Sequence, residues 1–301
     1  MIRRFVSSLL AMTTALSVGF AQTGTTGLSF LKLGVGARAL GMGEAYSAIA
    51  ADPSATFYNP AALSLSSAPQ LLLMHKEWIQ GTRTEFIGAT TRMHDVSLGV
   101  SANATGVNDL ELRTTPGPAL GTFDARNTSI GISAAFAIDS SISVGVTAKY
   151  LYEKIYVYAA SGYALDVGGL YTTPWNITIA LSLNNLGSVN ELDKESSALP
   201  TLIRFGSAYV HDIPDLDGVF TVSSDVVAFT AEKKTHVHLG AEFNFKNTFA
   251  LRAGYQSGYA AKSFSAGAGI RYDIVNFDYA FVPFRENLGT TNTFSIGVHF
   301  Q

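Results

Sequence analysis

Ser141-Ile-Ser-Val-Gly-Val-Thr-Ala-Lys-Tyr-Leu-Tyr-Glu153 is the most regular stretch of the chain. Ile142, Val144, Val146, Ala148, Tyr150 and Tyr152 alternate with Ser143, Gly145, Thr147, Lys149 and Glu153. Successive side chains of a strand point to opposite faces, so this period sets an apolar row against a small or polar one. The pattern recurs outward from it. Over 263–273, Phe264, Ala266, Ala268, Ile270 and Tyr272 oppose Ser265, Gly267, Gly269, Arg271 and Asp273. At the C-terminus Phe294, Ile296, Val298 and Phe300 oppose Thr293, Ser295, Gly297 and His299. In a soluble sandwich the apolar row would meet a second sheet. In a membrane barrel it would meet lipid, and the small, polar row would line a lumen.

Composition and spacing favour the barrel. The chain has 301 residues, 47% hydrophobic and 14% charged, with mean hydropathy +0.21. Soluble domains carry about 25% charged residues. No internal run reaches the roughly 20 apolar residues of a membrane helix, so the hydrophobicity is spread thinly, as barrel strands require. Strands are expected near 70–78, 82–92, 95–105, 126–138, 141–153, 161–172, 175–185, 201–212, 217–227, 234–245, 248–256, 263–273, 276–283 and 291–300. That makes an all-β transmembrane antiparallel barrel of about 14 strands, an even number as bacterial barrels have. Alternate connections are tight, while those between them are longer, above all Gly106 to Ala125 and Leu186 to Pro200. Short periplasmic turns and longer outer loops give this sorting. Trp175, Tyr171 and Tyr272 fall at the tight-turn ends, and Trp78, Tyr152 and Tyr255 at the others, suggesting two aromatic belts.

The N-terminus carries the address. Arg3 and Arg4 precede the short apolar core Phe5 to Phe20, and Gly19-Phe20-Ala21 offers small residues for cleavage before Gln22. Residues 1–21 therefore read as a secretory signal peptide, and the expected location is the cell outer membrane, with membrane lipid and the barrel-assembly machinery as partners. Residues 22–69 lack alternation, are rich in glycine and alanine, and are too apolar for a flexible tail. They read as a plug, leaving 70–301 for the barrel. Phe300, next to last, reads as an assembly signal or as one more lipid-facing ring.

The plug carries a resemblance. Gly36-Ala37-Arg38-Ala-Leu-Gly41-Met-Gly43, Asn59-Pro60-Ala61, Asp109-Leu-Glu-Leu-Arg113 and Gly121-Thr-Phe123 resemble the PorV/PorQ family of outer-membrane proteins, a branch of the FadL-like barrels. The chain departs from the family pattern at Glu44 and Ala62, where glycine is common. The resemblance implies about 14 strands with an N-terminal hatch, and a role beside the type IX secretion system, binding or shuttling exported cargo at the surface. FadL relatives instead move hydrophobic molecules inward through the hatch and a lateral opening.

Other chemistry is sparse. A net charge of −3 gives no basic footprint for nucleic acid. With no cysteine there is no disulfide framework, thiol nucleophile or thiolate metal site, nor a cysteine after the signal for a lipid anchor. Gly34-Val-Gly36-Ala-Arg-Ala39 fits a dinucleotide fingerprint but has no preceding strand or βαβ unit. His236, His238 and Glu242 share a strand face and could hold a metal, or could simply be polar lumen groups. Arg204, Arg252 and Arg271 also point to the lumen, with Asp166, Glu242 and Asp273 as available partners, in an ionic interior that grips the plug or tunes a channel. No zinc-protease, phosphate-loop or Gly-x-Ser-x-Gly motif is present, so neither an enzyme nor a cofactor is expected. Two functions remain: an interaction protein for secreted cargo, or a FadL-like transporter of hydrophobic small molecules. The charges Asp109, Glu111, Arg113, Glu191, Asp193, Lys194 and Glu195 on the longest loops favour the first.

Overall fold

The computed structural model describes residues 26–192 and 197–300. The signal expected over 1–21 lies outside them, as do Asp193, Lys194 and Glu195. Fourteen strands follow one another: β1 (Gln70–Glu77), β2 (Arg83–Met93), β3 (Val96–Leu112), β4 (Gly121–Ala137), β5 (Ile142–Ile155), β6 (Tyr158–Thr172) and β7 (Ile177–Val189). Then come β8 (Leu202–Ile213), β9 (Gly218–Phe229), β10 (Lys234–Phe245), β11 (Phe249–Ser257), β12 (Phe264–Tyr272), β13 (Val275–Pro283) and β14 (Thr290–His299). Each pairs antiparallel with its neighbours, and β1 pairs with β14 from Gln70↔His299 to Glu77↔Asn292, which closes the barrel. The strand count and barrel class expected from alternation are borne out.

Burial is inverted relative to a soluble protein. Lys149, Asp166, Arg204 and Asp225 are buried, whereas Leu251 is 67% and Tyr272 81% exposed. An apolar exterior on a closed barrel, with backbone groups paired around the ring, is the arrangement lipid demands. No helix among the described residues is long and apolar enough to cross a membrane; the strands make the crossing. This is a cell outer-membrane barrel. Trp175, Tyr171 and Tyr272 are exposed at the end that holds the short turns and the C-terminus. Tyr150 with Tyr163 and Tyr255 with Phe264 form cross-strand ring pairs, with centroids 5.6 and 5.1 Å apart, toward the other end.

Loop sorting is less strict than expected. Most of Gly106 to Ala125 is strand, since β3 runs to Leu112 and β4 starts at Gly121. The segment between β5 and β6 is the two-residue turn Tyr156-Val157, with Tyr156 at φ 56°. β3 and β4 have 17 residues each and β12 has 9. At about 3.4 Å per residue and a tilt near 40°, the β3–β6 side rises roughly 20 Å above the β11–β13 side. Beyond the bilayer both faces meet water. Period-two alternation is no longer required there, and these extensions read as loops.

The plug and its seat

The segment before β1 enters at the outer rim, where Thr26 bridges Ala198, and reaches β1 through Pro69 beside Phe300 at the periplasmic end. It contains a 3-10 turn (Ser29–Lys32), α1 (Ala37–Gly41), α2 (Ala55–Tyr58) and a second 3-10 turn (Pro60–Leu65). These pieces are too short to hold themselves together in isolation. The wall holds them.

One half of the plug is held by close packing. Asn59 caps the second 3-10 turn, its side-chain oxygen accepting from the Ala61 N–H at 3.1 Å, with Pro60 at the first position of the turn. Its amide donates to the carbonyls of Ser47 and Gly169. Ser182 and Asn184 donate to the carbonyls of Tyr58 and Phe57. On the lumen face, Gly145 lies so close that a Cβ would stand 2.5 Å from the Ala61 nitrogen, and one on Gly168 would overlap Asn59 Oδ1. Gly88, Gly99, Gly206, Gly240, Gly254 and Gly267 meet other parts of the plug in the same way. The small-residue row of the strands is thus a belt of glycines at the wall–plug contact.

The other half adds charge to the same close packing. Glu242 of β10 accepts from Arg38 of the plug (2.7 and 2.9 Å) and from Arg252 of β11 (2.5 Å), and Arg252 also donates to Asp278 (2.6 Å). Lys76 donates to the Gly34 carbonyl, and Lys262, in the β11–β12 loop, pairs with Glu44 at 2.9 Å. Glu44 sits at φ 61°, where glycine is at ease; its carboxylate instead ties the plug to that loop. Burial alone would raise this carboxyl, but nearby positive charge, Lys262 foremost, outweighs it and holds it at about 2. A depressed carboxyl stabilises fully above its ordinary value of 4.5 and loses that contribution as pH falls through about 2. The near-UV signal of the buried plug tyrosines should therefore hold down to about pH 4.5 and decay below it. In Lys262→Ala the decay should move to higher pH; an unmoved decay would show that this pair does not tie the plug.

The residues singled out by sequence are distributed as follows. Gly36 (φ 83°) and Gly43 (φ 64°) bracket α1, the Ala37 N–H donates to Ser295, and a Cβ on Gly41 would stand 3.1 Å from Gly267. Asp166 pairs with Lys149 (2.6 Å) and accepts from the N–H of Asn185, which lies at φ 61° where the β6–β7 register shifts. Arg204 pairs with Asp225, not with the carboxylates expected for it. Arg271 donates to Asn247, and Asp273 lies in a turn. Phe300 is half-exposed, its N–H bonded to the Pro69 carbonyl. His236 stacks on Tyr259 at 3.8 Å, and His238 Nε2 lies 3.0 Å from the Tyr259 hydroxyl, so the loop tyrosine occupies both rings. No cluster of three metal-ligating side chains occurs among the described residues. Sequence reasoning missed Arg38, Lys149, Asp225 and Asp278 as ionic partners; the wall pairs depend on strand register, and that of Arg38 on where the plug sits.

At the outer end the lumen turns apolar. Leu28, Phe30 and Leu31 of the plug fill a recess walled by Leu151, Ala164 and Leu199, with Leu33 and Val189 packed against it. Leu151 sits on the otherwise polar row of β5 because it faces this recess. Lys32 pairs with Glu232 and helps to hold the segment down. A cavity of about 30 Å³ lies under Leu33 and Gly34, and one of about 140 Å³ opens on the other side of α1.

Comparison with known proteins adds the following. A family model described as "Uncharacterised protein family (UPF0164)" matches residues 7–165. No curated protein matches the chain. Among solved structures the chain is similar to the CymD monoaromatic hydrocarbon channel, at 14% identity and a TM-score of 0.60 over 88% of this chain and 96% of that one. It is also similar to the Pseudomonas putida toluene transporter TodX, at 13% identity and a TM-score of 0.60 over 88% and 96%. A Pseudomonas aeruginosa FadL homologue gives 12% identity and a TM-score of 0.52 over 94% and 99%. At such identities the likeness establishes a shared fold.

Proposed function

Since the chain belongs to the UPF0164 family and has the FadL-type barrel fold, we propose that it is a gated outer-membrane passage for small hydrophobic molecules. One observation carries this reading: the apolar recess at the outer end, filled by the chain's own Leu28, Phe30 and Leu31. Deeper in the lumen the buried wall positions include Thr147, Lys149, Asp166, Arg204 and Asp225, so an apolar seat at the entrance needs a reason. A hydrophobic molecule that takes the place of these side chains would be bound by the same burial of apolar surface. The solved channels of this fold, whose names describe a monoaromatic hydrocarbon channel and a toluene transporter, support the choice of substrate class. Of the charges that argued against a greasy landing surface, Asp109, Glu111 and Arg113 lie on the exposed rim hairpin, where Glu111 pairs with Arg113.

A second reading keeps the secretion role that the PorV/PorQ resemblance implies, with type IX components and exported cargo as partners. The tall β3–β6 wall favours it, because Leu120, Tyr156, Val157 and Tyr158 are exposed on its tip. Apolar side chains outside the bilayer are a surface on which a partner can dock. One experiment separates the two. A deletion strain is complemented with wild type or with Phe30→Ala, and both toluene uptake and surface-cargo release are measured. Uptake lost on deletion and raised several-fold by Phe30→Ala, with cargo release intact, is expected. Truncating such a buried ring costs about 3–5 kcal/mol of seat stability. Loss of cargo release with uptake unchanged would reverse the ranking.

A further inference from the structure

On the reading of a gated passage, we propose that the plug opens along one side only, past α1 and the inner faces of β1 and β10–β14. The gate is the contact of Ala37 and Leu40 with Ala280, and the Ala55–Ala62 half stays seated as an anchor. The two cavities lie on either side of α1. Leu33, Gly34, Leu40 and Glu44 line the smaller, and Gly36, Arg38, Gln70 and Asn244 line the larger. Between them stands the small buried cluster Ala37, Leu40 and Ala280. Leu33 both packs against the outer recess and lines the smaller cavity, so displacing the recess segment exposes that cavity directly. The larger one is about 140 Å³.

The hinges and the polar groups fall on the same side. Gly36 and Gly43, both in the left-handed region, bracket the five residues of α1; Gly43, against Gly254, is the pivot, and Gly36 leaves the first turn free to swing. Gln70 Oε1 and Asn244 Oδ1, in the wall of the larger cavity, are buried acceptors with no hydrogen-bond partner among the described residues. Such groups are rare unless water or a ligand reaches them. The first turn of α1 is held across this seam by Arg38 to Glu242 and by the Ala37 N–H on Ser295, whereas its far end, Gly41 to Gly43, has its backbone against Gly267, Gly240 and Gly254, as the anchor half has against Gly145 and Gly168. Salt bridges can exchange for water as α1 moves; backbone pressed against backbone has no such alternative.

The chain has no cysteine, so paired cysteines test this directly. Ala37→Cys with Ala280→Cys bridges the seam, and Ala62→Cys with Ala135→Cys bridges the anchor half to the wall. In proteoliposomes, oxidation of the seam pair should cut toluene uptake at least tenfold, reversibly on reduction, while the oxidised anchor pair keeps wild-type uptake. A block by the anchor pair, or uptake through the oxidised seam pair, overturns the proposal. Should the wild-type barrel pass no toluene, the substrate reading falls and amide hydrogen exchange decides the seam. Residues 34–40 should exchange faster than 55–62 in the folded barrel; equal or reversed protection overturns the assignment.

Discussion

Gly168→Val is expected to expel the Asn59–Ala62 end of the plug and to make a silent barrel conduct ions. The position lies on the lumen face of β6, where even a Cβ would overlap the Asn59 side-chain oxygen. The wall cannot give way, because Gly168 is held in register on both sides, opposite Gly145 and Ser182. Asn59 must therefore leave. With it go the cap on Ala61 and the bonds to Ser47 and Gly169. Overpacking costs about 1–3 kcal/mol and a lost cap about 0.5–2 more. Their sum, roughly 2–5 kcal/mol, shifts the seated population by a factor of tens to thousands. Gly169→Val is the control: a Cβ there meets nothing within 4 Å, and the adjacent position points to the opposite face. Planar-bilayer conductance and proteolysis of the plug read the outcome. A Gly168→Val barrel as silent and as protected as Gly169→Val would show that the belt of glycines does not seat the plug.

Much of the barrel was legible because lipid imposes one rule on every strand. Each crossing needs an apolar row outward, so Ile142, Val144 and Val146 announce their face without knowledge of any neighbour. That rule ends at the membrane surface. Asp109, Glu111 and Lys154 break the alternation there, and the upper parts of β3 and β4 passed for loops. The lumen follows a different rule. Gly145 and Gly168 signal only a small residue; what presses on them, Pro60 and Asn59, lies about a hundred residues earlier in the chain. Ionic partners are hidden for a related reason. Arg204 sits opposite Val227 in the ladder, and its carboxylate, Asp225, is the diagonal neighbour on β9, a choice visible only once register is set. Leu151 shows the limit from the other side. It interrupts the polar row of β5 and looks like noise until Phe30 and Leu31 are placed beside it.

The second large effect falls on that diagonal pair. Asp225→Ala should destabilise the plugged barrel by about 3–5 kcal/mol, the usual cost of leaving one member of a buried pair without its partner. Asp225 is 1% and Arg204 4% exposed. The carboxylate accepts from the N–H groups of Tyr46 and Ser47 (3.3 and 3.1 Å), from the Ser47 hydroxyl (2.9 Å) and from Arg204 (3.1 Å). Arg204 in turn donates to the Glu44 carbonyl at 3.2 Å and lies 5.2 Å from the Tyr58 ring centre. One wall pair thus fastens the plug backbone at Glu44, Tyr46 and Ser47, and truncating the acid strands a cation and two amides at once. The double variant Arg204→Met with Asp225→Leu removes the stranded charge, and buried pairs replaced by apolar side chains are often near neutral. It should recover the part of the loss that comes from the stranded charge, keeping the cost of the unpaired Tyr46 and Ser47 amides. Urea unfolding of the wild type, of Arg204→Met and Asp225→Leu singly and of the double variant, in lipid vesicles, measures the cycle. A single-variant loss below about 1 kcal/mol, or a double variant no better than the sum of its parts, would mean that the plug is held by packing and that this pair only fills the lumen.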